Sequence, residues 1–131
     1  MEHSSNIRYT FPKKEKLKSQ KLIRELFEKG SSTFLYPYKV FYLPAASNPE
    51  VDSPQVLISV SKRNFKHAVD RNRLKRQIRE AYRLQKNLLG DSAQDFSAIG
   101  FLYVGKKKEP YALLDRGMRK ALKRLAVSSE Q

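Results

Sequence analysis

The sequence has no cysteine, which excludes disulfides, thiol nucleophiles and thiolate metal sites. Histidine is nearly as scarce: His3 and His67 lie far apart and have no catalytic spacing. Acidic residues are few as well, and Asp52, Asp70, Asp91, Asp95 and Asp115 form no recognisable metal motif. The chain also lacks a glycine-rich loop of the kind that cradles phosphates. Phosphodiester hydrolysis needs clustered carboxylates for divalent ions, or an acid–base pair. A chain with neither pattern is not expected to be a nuclease by itself. No apolar run approaches the roughly 20 residues that span a bilayer, and the opening MEHSSNIRYT has no apolar signal core. A cytoplasmic protein is the expectation.

Positive charge is what the chain has in excess. Lys and Arg number 27 against 13 Asp and Glu, for a net charge of +14. Such a balance marks a nucleic-acid binder, with an acidic membrane surface as the weaker alternative. A length of 131 residues suits one domain, large enough to bury about two-thirds of the surface of the unfolded chain. With 40% hydrophobic residues, most of the chain should fold.

Charge is densest from Ala68 to Lys86, AVDRNRLKRQIREAYRLQK. At about 100° per residue, Leu74, Ile78, Ala81, Tyr82, Leu88 and Leu89 fall on one arc of a helix, and Gly90 is expected to end it. Asn72, Lys75, Arg76, Arg79, Arg83 and Lys86 share an adjoining arc, Arg71 borders the apolar edge, and Arg73 projects from the far flank near Glu80. An ordinary solvated face mixes signs, because like charges four apart repel. Here Glu80 is the one carboxylate between Arg71 and Lys86, among seven Lys and Arg. Phosphates would neutralise such a stripe. Being Lys and Arg, it suits phosphates better than the base edges a DNA-binding regulator must read.

The string AVDRNRLKRQIREAYR, preceded by SVSKR, resembles the signature region of the protein subunit of bacterial ribonuclease P. Arg71, Asn72, Arg73, Lys75, Arg76, Arg79 and Glu80 match the Arg-Asn-Arg core and the basic residues that follow it on one helix. Lys62 and Arg63 match the basic pair closing the preceding strand. Where the family commonly has Gly-Asn before Ala-Val, this chain has Lys66-His67, and the connection Asn64 to His67 is one residue longer. The resemblance implies a binding subunit of a ribonucleoprotein endonuclease that removes 5′ leaders from precursor tRNA. The RNA subunit would then carry the catalytic site, and the holoenzyme would use a divalent metal such as Mg2+, with no recognisable metal motif in the protein. The implied partners are the catalytic RNA and precursor tRNA, with neither DNA nor a membrane. Lys62, Arg63, Arg71, Arg73, Lys75, Arg76 and Arg79 would contact phosphates. Asn72 would either meet RNA or bond locally. A general RNA-binding or ribosomal protein would share the charge and the fold, but would leave ribonuclease P activity untouched.

The remaining chain fits one α/β sandwich domain, with a basic arm at residues 1–16 and the RNA-binding domain at 17–131. Tyr9, Phe11 and Pro12 are the arm's apolar anchors. Ser19 can cap a helix reaching Lys29, with Gly30 as a left-handed stop. Leu22, Ile23, Leu26 and Phe27 form its apolar stripe. Ser31 to Leu35 and Tyr38 to Leu43 read as strands broken by Pro37. In the second, Tyr38, Val40 and Tyr42 share one face and Lys39, Phe41 and Leu43 the other; alternation does not say which is wet. Ala45 to Pro54 is a loop, and Gln55 to Ser61 is a strand that buries Val56, Ile58 and Val60. Ala98 to Val104 is the last strand. Pro110 suits the first turn of a final helix whose Tyr111, Leu114, Met118, Ala121, Leu122 and Leu125 form a core stripe. The order is helix, three strands, helix, strand, helix. The general rule favours a right-handed crossover between the last two strands, whereas the resemblance implies a left-handed one. It also implies that Ile23, Phe27 and Phe41 line a cleft for the single-stranded leader, with Ile23 replacing the usual aromatic.

Overall fold

A computed structural model describes residues 11, 13–45 and 54–129. Helix α1 spans Gln20–Lys29 and is followed by strands β1 (Ser31–Leu35), β2 (Tyr38–Pro44) and β3 (Gln55–Val60). Helix α2 (Ala68–Gln85), a 3-10 segment (Lys86–Asp95), strand β4 (Phe96–Tyr103) and helix α3 (Tyr111–Ser129) complete the chain. The expected order of helices and strands is the observed one. Residues 1–10 and 12 of the expected arm, and 46–53 of the expected loop, lie outside the described residues.

The four strands form one mixed sheet in the order β1-β2-β4-β3. β1 pairs antiparallel with β2, and β2 with β4, while β3 runs parallel to β4. That parallel pair requires a crossover, and α2 lies within it. Alternation along the strands sends Tyr38 and Val40, Val56, Ile58 and Val60, and Ile99, Phe101 and Tyr103 to one face. There they pack with Leu74, Ile78 and Tyr82 of α2 and Leu114, Met118, Leu122 and Leu125 of α3. Tyr38 is fully buried, and its hydroxyl donates to the Leu114 carbonyl at 2.8 Å. Burial pushes that hydroxyl far above its ordinary pKa. The opposite face carries α1 over a smaller cluster of Leu17, Leu26, Leu43 and Ala98.

Local chemistry accounts for the helix ends, with three corrections. Ser19 caps α1, its side chain accepting from the Leu22 N–H at 3.2 Å. Gly30 is not left-handed: at φ −71° and ψ 154° it is extended. A Cβ there would meet the Leu26 carbonyl oxygen at 2.4 Å and that of Tyr42 at 2.9 Å, so the chain turns from helix to strand through a gap that fits only hydrogen. Likewise α2 does not reach Gly90. It stops at Gln85, and the 3-10 segment turns Leu89 into the core while Leu88 stays exposed. Gly90 kinks that segment at φ 56° and ψ −137°, a conformation open to glycine. Pro110 lies just before α3 rather than in its first turn, its carbonyl accepting from the N–H groups of Leu113 and Leu114.

Candidate nucleic-acid interface

Helix α2 buries Leu74, Ile78, Ala81 and Tyr82, a spacing that places them on one side. The same geometry leaves Asn72, Arg73 and Arg76 exposed and Lys75 and Arg79 half-buried. Among the described residues, none of Arg73, Lys75, Arg76 and Arg79 is paired with a carboxylate. Glu80 instead holds Arg83 through two hydrogen bonds, at 3.0 and 2.7 Å. Those bonds hold the Glu80 carboxyl below its ordinary range and raise Arg83. Lys86 reaches Glu15 at 2.9 Å, with both side chains about nine-tenths buried. The stripe read from periodicity is therefore divided. Its first turns present charge outward, while Arg83 and Lys86 at the other end hold acids of the same chain.

Arg71 has a structural task of its own. Its Nη1 donates to the carbonyls of Phe65 and Lys66, both at 2.8 Å. Phe65 is buried, its ring 6.0 Å from that of Tyr103, so the connection before α2 is held from both sides. Lys62 and Arg63 are exposed on this connection, and the Arg63 N–H donates to Ser61 Oγ at 3.0 Å. Lys108 meets Asp70 at 3.1 Å, which draws the turn carrying Lys106, Lys107 and Lys108 to the start of α2. Sequence reasoning named Phe11 as an anchor but missed that the segment before α1 joins the basic face of α2. Phe11 packs on Tyr82 with ring centroids 5.4 Å apart, and Lys16 bridges to Val56 at the edge of β3. Phe11 and Lys16 join Arg76, Arg79, Glu80 and Arg83 around an open depression of about 240 Å³. The available signal was Glu15, an acid within a basic stretch.

The opposite face holds the aromatic residues. Leu26 of α1 is fully buried, and it seats closely because Gly100 of β4 lies beneath it, where a Cβ would stand 2.9 Å from Leu26 Cδ2. Phe27, next on the helix, is 40% exposed. Its ring meets Phe41 of β2 edge-on, with centroids 4.7 Å apart and planes at 71°. Lys39 Nζ sits 5.3 Å from the Phe41 ring centre, a cation–π contact worth about 0.5–1 kcal/mol at an exposed site. Ile23 is half-buried one turn earlier, packed with Leu22 and Phe41 on the small cluster. All three expected cleft residues thus gather between α1 and the sheet. Phe27 and Phe41 touch there as aromatics, and Ile23 packs on the same small cluster as Phe41.

A family model for ribonuclease P matches residues 11–126. The chain belongs to the ribonuclease P protein family. A ribonuclease P protein component from Porphyromonas gingivalis is 38% identical over 117 residues, covering 87% of this chain and 85% of the relative. One from Chlorobium phaeobacteroides is 42% identical over 106 residues, covering 73% of each chain. Among solved structures, the RNase P protein of Staphylococcus aureus superposes with a TM-score of 0.68 over 84% of this chain and 94% of its own, at 24% identity. As a ribonuclease P protein, the chain is a subunit of the ribonucleoprotein enzyme of tRNA processing. Among the described residues, no group of three or more His, Asp or Glu could hold a metal ion. Nor is any described helix long and apolar enough to cross a membrane.

Proposed function

We propose that this protein serves ribonuclease P by binding on two fronts. The exposed cations of α2 would hold phosphates of the catalytic RNA, and the cleft under α1 would hold the 5′ leader of precursor tRNA. The observation that carries this reading is the division of the sheet: cations without acid partners lie beyond one face, and accessible aromatic rings lie on the other. Arg73, Lys75, Arg76 and Arg79, with Lys62 and Arg63, are the phosphate contacts. Arg71 acts in part through the connection it holds, keeping Lys62 and Arg63 in place. Asn72, exposed beside them, contacts RNA backbone or ribose. In the cleft, Phe27 and Phe41 offer ring surface to unpaired bases, Lys39 offers charge to the phosphate between them, and Ile23 supports the ring pair. Base–aromatic stacking is worth roughly 1–3 kcal/mol per base and tolerates any sequence.

Chemistry is assigned to the RNA. The holoenzyme would use a divalent ion such as Mg2+ for that step, supplied at the RNA and its substrate. A cytoplasmic location follows from these partners, and the stripe calls on neither DNA nor a membrane. The test is reconstitution at limiting magnesium. Protein added to its own catalytic RNA should raise precursor-tRNA cleavage and tighten substrate binding, while protein without RNA should not cleave. Robust metal-dependent cleavage by RNA-free protein would overturn the proposal.

A further inference from the structure

We infer that Phe34, with Tyr36 beside it, extends the leader cleft by one more stacking step, holding an unpaired nucleotide beyond the one at Phe27 and Phe41. This rests on the reading of the cleft proposed above.

β1 is an edge strand, and α1 packs over β2 and β4 instead. In the β1–β2 register Phe34 stands opposite Lys39 and Ser32 opposite Phe41. Residues opposite one another point to the same side of a sheet, as do residues two apart on one strand. Phe34 therefore shares its face with Lys39 and Phe41. It is 61% exposed, and its ring lies 6.5 Å from that of Tyr36, itself 47% exposed. Tyr36 is not loose: its hydroxyl donates to Glu109 Oε2 at 2.6 Å, tying the ring to the turn before α3. Phe34 thus stands uncovered on an edge strand, where apolar exposure invites unwanted pairing, beside an anchored Tyr36 in the turn that follows.

Three observations favour a nucleotide as the occupant. First, Phe34 continues the Phe27–Phe41 surface as the diagonal neighbour of Phe41, and diagonal neighbours across an antiparallel pair lie roughly 7–8 Å apart. That separation is within reach of successive or alternate nucleotides of one strand. Second, exposed Lys39 neighbours both rings, opposite Phe34 and two residues from Phe41, and can meet a phosphate that joins two stacked bases. Third, a net charge of +14 opposes a second copy of this chain and favours a polyanion.

The experiment uses the holoenzyme reconstituted with its catalytic RNA. Its substrates are precursor tRNAs carrying a single abasic nucleotide at successive leader positions. Phe34→Ala should weaken binding of the intact precursor roughly 5- to 150-fold, as expected for one lost stack, and leave mature tRNA unchanged. Phe34→Trp should restore binding. One abasic position should make Phe34→Ala silent, and it should differ from the position that silences Phe27→Ala. Unchanged precursor binding by Phe34→Ala, beside a clear loss for Phe27→Ala, overturns the extension and leaves the cleft reading standing. If neither variant separates precursor from mature tRNA, the cleft reading fails and the extension falls with it. A shared silent position would mean that Phe34 adds no further step. If Phe34→Ala alters only the sedimentation of RNA-free protein, the patch joins copies of the chain, and the inference is wrong. Because Phe34 is mostly exposed, thermal melts should match those of the parent protein.

Discussion

The two faces of the sheet are built from similar residues and put to opposite use. Beneath α2 and α3, twenty buried residues form one continuous core among the described residues, while beneath α1 four do. Tyr38, Phe101 and Tyr103 are almost wholly buried on the thick face, whereas Phe27, Phe34 and Phe41 keep ring surface accessible on the thin one. Aromatic content is therefore no guide to which face stabilises the protein; coverage is. A ten-residue helix seated over Ala98 and Gly100 covers only part of its face, and what it leaves open is apolar, ridged and flanked by Lys39.

Side-chain truncation should separate the faces most strongly. Phe101→Ala should cost about 3–5 kcal/mol, as for other buried Phe residues, read from the urea midpoint. Phe41→Ala should cost well under half of that. Equal losses would make the thin face a second core. Overpacking gives the next largest effect. Gly100→Val places methyls against fully buried Leu26, and should cost roughly 1–3 kcal/mol. Because it lifts α1, it should also weaken precursor tRNA binding while affinity for the catalytic RNA holds.

Phe27→Ala sharpens the contrast in function. It should weaken precursor binding by roughly 1–3 kcal/mol with little change for mature tRNA, and equal weakening with an intact fold would remove the leader-specific role. Smaller in stability, but distinct in kind, is the double replacement of Arg76 and Arg79 by Ala. Surface changes usually move stability by less than about 0.5 kcal/mol, so the melt should hold. Affinity for the catalytic RNA should fall, and its log–log salt slope should become shallower by roughly 1–2 units, because fewer counterions are released. An unchanged slope would leave the stripe as a solvated face. The smallest effect belongs to Glu80. Arg83 lowers its folded pKa, so the contribution is complete above the unfolded carboxylate range and is lost as pH falls through the lowered value. Glu80→Gln should flatten a slight acid-side decline in melting temperature and leave the neutral-pH melt almost unmoved.

Much of this was legible because helix and strand periods are local properties. The spacing of Leu74, Ile78, Ala81 and Tyr82 sets which side of α2 is buried whatever it packs on, and with it where Arg73, Arg76 and Arg79 point. The alternation in Val56, Ile58 and Val60 did the same for β3. The charge of +14 survives any fold, so a polyanionic partner followed from composition. The helix ends were less legible. Gly30 and Gly90 punctuate where expected, but one is there for close packing beneath Leu26 and Tyr42, and the other kinks a segment that α2 never enters.

Tertiary structure alone decided which cations remain available. Lys75, Arg83 and Lys86 look alike along the stripe, yet Lys86 lies nine-tenths buried on Glu15, 71 residues away, and Arg83 closes on Glu80. No local period encodes a partner at that distance, because the pair exists only once the segment before α1 is laid along β3. Nor could alternation choose the wet face of β2. A strand offers two equivalent sides, and only the seating of α1 over Ala98 and Gly100, with α2 and α3 opposite, leaves Phe41 in an open cleft while Tyr38 becomes core.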